Sequence, residues 1–217
     1  MNSQFTPKQR LIGIAVSAAP LLLAVAAALF AASPVRAQVW NEVGDAGPLP
    51  GVAQTTAGIG ALTTINGATS PNEDVDMYCI LITDRNAFGA CLNCLFIMQP
   101  DLYLFDASGK GLALAQICSA GCKQISSALV PGTGLYYIAV APNGAQANSA
   151  GGAIWVAGQT SERAPDGAGA AGAITSWGPG VLQGPANYSI RLSGATFCSA
   201  VTPARPSTWG RIRNTYR

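Results

Sequence analysis

Beyond residue 37 the chain carries no sustained apolar repeat of helical period. Short apolar and β-branched runs recur instead, separated by Gly, Pro, Asn and Asp. A helix buries one face only if apolar residues return every three to four positions, so this pattern directs backbone hydrogen bonding into strands. The runs are ALTTING (61–67), VDMYCILIT (75–83), LYLFD (102–106), LALAQI (112–117), LYYIAVA (135–141), AIWVA (153–157) and NYSIRLSG (187–194). Several short strands with turn signals between them predict an all-β fold, an antiparallel β-sandwich. Alternation then assigns faces. In 75–83, Tyr78, Ile80 and Ile82 oppose Met77, Cys79 and Leu81, and apolar residues on both sides predict a covered, central strand. In 187–194, Tyr188, Ile190 and Leu192 point inward while Ser189, Arg191 and Ser193 point outward. DASGKG (106–111) supplies a turn, with Asp106 and Ser108 placed to bond nearby backbone and Gly109 and Gly111 free to take positive φ. The stretch 142–185 is dominated by Gly, Ala, Ser and Asn apart from AIWVA, and reads as a mobile region.

The N-terminus speaks to compartment. Lys8 and Arg10 precede an uncharged, Ala/Leu-rich run over 11–32, and Val35-Arg36-Ala37 sets small residues where a signal peptidase reads. A signal peptide over 1–37 is expected, with a retained anchor as the competing reading. The chain then divides into a lead-in segment (38–60), a β domain (61–198) and a basic tail (199–217). Such a protein is secreted, periplasmic or on the cell surface, and after cleavage has no membrane contact. From residue 38 to 198 five basic residues stand against all ten acidic ones. An acidic body has no footprint for nucleic acid.

There is no histidine. That removes Ser-His-Asp and Cys-His catalysis and histidine-ligated zinc. Paired carboxylates remain usable, so the enzymatic alternative is a small glycosidase-like hydrolase built on Asp74 and Asp76 with Asp101 and Asp106. The six cysteines are Cys79, Cys91, Cys94, Cys118, Cys122 and Cys198, and in an oxidising compartment an even count reads as disulfides. Cys79 is expected to pair with Cys198, and the other four to form two bonds between neighbouring loops. Four thiolates on zinc are the alternative for Cys91, Cys94, Cys118 and Cys122. Asn72, Glu73, Asp74 and Asp76 place four oxygen-bearing side chains in five residues, which suits calcium, a cation that takes six to eight oxygens in irregular geometry. The ion is expected to bridge Asp74 and Asp76, with Asn72, Glu73 or carbonyls of the 40–50 segment completing its shell.

The succession DVDMYCILIT, DLYLFDASGKGLA, GTGLYYIAVAPNG and ANYSIRLSGA resembles the bacterial pre-peptidase C-terminal domain, and WNEVGDAGPLPGVAQ (40–54) is similar to a segment preceding it in exported proteins. The resemblance implies a jelly-roll-like β-sandwich that accompanies exported enzymes without doing their chemistry. It also implies calcium at the positions of Asp74 and Asp76, and an extracellular protein or polysaccharide surface as partner. The expected function is therefore a non-enzymatic binding or surface-structural module. GACLNCLF and QICSAGCKQ depart from that pattern.

Overall fold

The computed structural model describes residues 38–69, 74–94, 100–158, 160–181 and 186–200. The expected signal peptide over 1–37 and the tail beyond residue 200 lie outside them. Among the described residues all regular structure is β apart from one 3₁₀ turn, Ser127–Leu129. A five-stranded sheet runs in the order Gln38–Asn41, Leu62–Thr69, Ala186–Ser193, Gly89–Asn93, Cys122–Ser126. A six-stranded sheet runs Ala195–Phe197, Asp76–Ile82, Gly134–Ala141, Asp101–Asp106, Gly111–Ala115, with Gln54–Thr55 also paired to Asp76–Ile82. Ala147–Ser149 pairs with Gly152–Ala153 and Ile174–Trp177 in a third sheet, and Ser199–Ala200 pairs with Ala57–Gly58.

This corrects the expected jelly-roll-like antiparallel β-sandwich behind a signal helix. Gln38–Asn41 lies parallel to Leu62–Thr69, Gln54–Thr55 parallel to Asp76–Ile82, and Ser199–Ala200 parallel to Ala57–Gly58. Parallel neighbours need a crossover of about a dozen residues or more. The lead-in segment supplies one between residues 42 and 61, where strand periodicity alone suggests only hairpins. Among the described residues no sheet closes on itself and no α-helix occurs. The β-sandwich binding or surface-structural module thereby loses its basis in the fold. What the chain forms is an all-β domain of mixed sheets bearing an acidic cluster.

The strands form where side chains can be buried on both sides. Leu62, Ile65, Leu92, Ile125 and Ile190 from the five-stranded sheet share one core with Ile80, Leu102, Leu104 and Ile138 from the six-stranded sheet. The opposite face of the six-stranded sheet buries Met77, Tyr103, Phe105, Leu114 and Ala139 in a second cluster with Ile154, Trp155 and Ile174. The Gly/Ala-rich stretch thus supplies the third sheet and an aromatic cover, with Trp155 and Trp177 edge-on to Tyr103 at 5.5 and 5.0 Å. GACLN and CKQIS, read as loop sequence, are strands paired antiparallel to each other. Ala90, Leu92 and Ile125 give them a buried face. The turn at 106–111 forms in part as expected: Asp106 Oδ1 accepts from the amides of Ser108 (2.8 Å) and Lys110 (3.0 Å) and Gly109 takes φ +83°, whereas Gly111 keeps a negative φ and the Ser108 hydroxyl bonds the Asp106 carboxylate.

Candidate metal centre

Asp76 opens the strand Asp76–Ile82 on the side of Tyr78 and Ile80, and its exposure is 0 %. A carboxylate there is costly unless each oxygen finds a partner. One does. The Tyr188 hydroxyl donates to Asp76 Oδ2 at 2.6 Å, and the Tyr78 and Tyr188 hydroxyls are 2.6 Å apart. Because the Tyr188 proton is committed to Asp76, Tyr78 is the donor in the second bond. Among the described residues Asp76 Oδ1 has no hydrogen-bond partner.

Two more carboxylates converge on it. Ligand oxygens of Glu42, Asp45 and Asp76 all lie within 4.8 Å of one another. Glu42 follows the parallel strand Gln38–Asn41 and is held in register by its own amide, which donates to the Asn66 carbonyl at 2.9 Å. Its two oxygens accept from the amides of Ala46 (3.0 Å) and Ala68 (2.9 Å). Gln54 secures the same turn, taking bonds from Trp40 Nε1 (2.8 Å) and the Val43 amide (3.1 Å) and donating to the Val43 carbonyl (2.9 Å). The tyrosine pair sits over Gly67, where any Cβ would collide with both hydroxyls. An adjoining cleft lined by Asn41, Glu42, Gly67, Asn93 and Tyr188 opens the site to solvent.

Electrostatics mark the cluster as short of positive charge. Burial first, then the charges of Asp74 and Glu42, push the Asp76 carboxyl up to about 8, against the opposing hydrogen bond from Tyr188. Asp45 is raised chiefly by the charge of Asp74, with lesser contributions from burial and Glu42. Burial and the neighbouring Asp76 raise Tyr188 far above the phenol range, so it remains a donor. Three carboxylates, Asp76 buried, Glu42 half-buried and Asp45 exposed, with one orphaned oxygen, form an acidic cluster capable of coordinating a cation. An all-oxygen donor set selects a hard ion over a soft one.

Of the four residues expected to hold the ion, Asp76 is in this group. Asp74 is half-buried just ahead of the strand and acts on Asp45 and Asp76 through its charge. Asn72 and Glu73 lie outside the described residues. The lead-in segment was expected to contribute carbonyls, but it contributes two carboxylates, Glu42 and Asp45. Their signal was the spacing of the two acids in WNEVGDAG; their distance in sequence from Asp76 hid it.

Asp101 and Asp106 do not join them. Strand alternation puts Asp101 on the side of Tyr103 and Phe105, away from Asp76. There it accepts from Lys123 Nζ (2.7 Å), Gln116 Nε2 (3.0 Å) and the Gly144 amide (2.8 Å). Asp106 is occupied with its turn.

The sulfurs pair in part as expected. Cys79 is bonded to Cys198, and Cys91 to Cys122, each across Cα atoms 5.5 Å apart. The second bond joins the antiparallel strands Gly89–Asn93 and Cys122–Ser126 and removes two of the four thiolates a zinc site would need. Cys94 and Cys118 are thiols facing each other. Burial, then the hydrogen bond and charge of Cys118, push Cys94 up to about 12. Among the described residues no helix is long and apolar enough to cross a membrane.

No protein-family model matches the chain, and no curated protein matches it. The resemblance to the pre-peptidase C-terminal domain therefore rests on the motifs quoted for it.

Proposed function

We propose that the protein binds calcium through Glu42, Asp45 and Asp76, and that the ion fastens the lead-in segment to the strand Asp76–Ile82. The observation that carries this reading is Asp76, buried with Oδ1 unpartnered and with a carboxylate oxygen within 4.8 Å of those of Glu42 and Asp45, which come from a distant part of the chain. Calcium is favoured over magnesium because the oxygens come from an irregular turn and a strand end. Magnesium demands near-ideal octahedral geometry and keeps several waters, which a donor set fixed by backbone amides accommodates poorly. Asp74 adds negative charge close by.

The protein works in an oxidising, extracytoplasmic compartment and performs no covalent chemistry of its own. Two cystine bridges and the N-terminal apolar run support the first statement. The absence of histidine and the separation of Asp101 and Asp106 from the acidic cluster support the second.

The experiment is isothermal titration with calcium and with magnesium on chelator-treated protein, alongside thermal melts. One equivalent of calcium is expected to bind and raise the Tm, with Glu42→Gln and Asp45→Asn each weakening it. Identical melts in calcium and in chelator would overturn the reading.

A further inference from the structure

Cys94 and Cys118 carry free thiols, and the fold brings them to one place. Cys94 directly follows the strand Gly89–Asn93, and its amide donates to the Gly121 carbonyl at 3.1 Å, extending the ladder with Cys122–Ser126 by one rung. Cys118 stands just before a tight hairpin, in which the backbones of Ser119 and Cys122 exchange hydrogen bonds of 2.9 and 3.1 Å. Ala120 and Gly121 form its tip with φ of +50° and +86°, the left-handed pair that a two-residue turn requires. That turn sends the chain back past Cys94, and the Cys94 and Cys118 side chains hydrogen-bond each other.

The two sulfurs differ in access. Cys118 is exposed, whereas Cys94 is half-buried and its thiol reaches the Leu92 carbonyl at 3.8 Å. Burial, then the hydrogen bond and charge of Cys118, hold the Cys94 thiol up, and the charge of Lys123 opposes them. An incoming reagent therefore meets Cys118 first. Once Cys118 is capped its charge is gone, and the charge left beside Cys94 is that of Lys123, which favours a thiolate.

The Cys91–Cys122 bridge limits what a bond between these two would gain. Cys94 lies close to Cys91 along the chain and Cys118 close to Cys122, so with that bridge made the added ring runs only through 91–94 and 118–122. Disulfides gain stability with the length of chain they close. Cys79–Cys198 spans a separation of 119 residues and Cys91–Cys122 one of 31. A Cys94–Cys118 bond is thus the least favoured of the three by loop closure, and one of its sulfurs lies open to solvent. Exposed bonds are the reducible ones.

We infer that Cys94 and Cys118 are a redox-labile pair, closed to a third disulfide and reopened by exchange with low-molecular-weight disulfides and thiols while the other two bridges stay intact. The oxidant is a disulfide, RSSR. The Cys118 thiolate attacks one of its sulfurs, forming a mixed disulfide and expelling one RS⁻. The Cys94 thiolate then attacks the Cys118 sulfur and expels the second. Two protein thiols become one disulfide, RSSR is reduced to two RSH, and the two cysteine protons end on them. The reagent comes from outside, so the protein is modified and turns over no substrate. The pair shares no residue with the acidic cluster and does not depend on the calcium reading.

The test equilibrates the full chain in glutathione buffers of graded reduced-to-oxidised ratio, quenches in acid, alkylates free thiols, and reads intact mass and peptide maps. In the most oxidising buffer Cys94 and Cys118 are expected to resist alkylation and to appear as one cross-linked peptide pair. As the buffer becomes more reducing, these two thiols should appear together. Their midpoint should fall at a value of [GSH]²/[GSSG] at least tenfold below that which opens Cys79–Cys198 or Cys91–Cys122. Cys94→Ser removes the sulfur that completes the exchange, so one glutathione should accumulate on Cys118. Cys118→Ser should leave Cys94 at least tenfold slower to take glutathione up. The titration of the unmodified protein needs no variant and decides the matter even if both substitutions misfold. The inference is overturned if Cys94 and Cys118 remain alkylated in the most oxidising buffer, if mapping joins either to another cysteine, or if their bond opens no earlier than the other two. Faster uptake of glutathione by Cys94 in folded Cys118→Ser than by Cys118 in folded Cys94→Ser would overturn the order of attack.

Discussion

Asp76 and Asp101 are both fully buried aspartates at the same end of one sheet, opposite adjacent residues of Gly134–Ala141, and they are treated in contrary ways. Asp101 has a buried lysine, a side-chain amide and a backbone amide on its two oxygens. Asp76 has one tyrosine hydroxyl, one bare oxygen, and two further carboxylates beside it. A buried charge closed by its own chain is a structural device. One left open, against like charges, is shaped for something brought from outside. The comparison predicts opposite responses to the same manipulations.

The largest effect belongs to the closed site. Lys123→Met strands the Asp101 carboxylate and should cost about 3–5 kcal/mol in urea unfolding, undiminished by calcium. At the open site, Asp76→Asn retains an acceptor for Tyr188 and should be nearly neutral in chelator. It should abolish the calcium-dependent gain, which for the unmodified protein is about 2.7 kcal/mol with calcium at a hundred times its Kd. Were Asp76→Asn as damaging in chelator as Lys123→Met, the two sites would be alike and the contrast would fail. Tyr188→Phe removes the hydroxyl that donates to the Asp76 carboxylate, at a cost of about 1.5 kcal/mol in chelator, and calcium binding should survive it.

The smallest effect per step is in pH. The folded chain holds the Asp76 proton up to about 8, whereas the unfolded chain releases it in the ordinary carboxylate range. Between those limits the folded state binds more protons. In chelator the contribution is therefore full below the carboxylate range and is lost as pH rises through about 8, by up to about 1.4 kcal/mol per pH unit. Calcium should flatten that slope. Melts with and without chelator across this window measure the difference.

Much of the strand inventory was legible in the sequence because burial writes itself as alternation. Tyr188, Ile190 and Leu192 are buried between more exposed Ser189, Arg191 and Ser193, as period two requires. The parallel pairings were not legible, since direction is set by crossovers and leaves no mark on side-chain alternation. The strands at Gly89–Asn93 and Cys122–Ser126 were obscured by their cysteines, which drew attention to loops. At the acidic site Asp76 stood out because a carboxylate among apolar strand residues is anomalous. Glu42 and Asp45 did not, as acids in a Gly-rich turn are ordinary until the fold brings Asp76 beside them.

The Cys79–Cys198 bond closes a covalent ring across a sequence separation of 119 residues. That ring holds the Cys91–Cys122 strands, the turn at 106–111 and the whole Gly/Ala-rich stretch. A protease that cuts anywhere inside it opens the ring without releasing a fragment. Nicked protein should keep its mass on a non-reducing gel and fall into pieces only when a thiol is added. In a protease-rich environment, a cut there leaves the lead-in segment and the acidic cluster joined in one molecule.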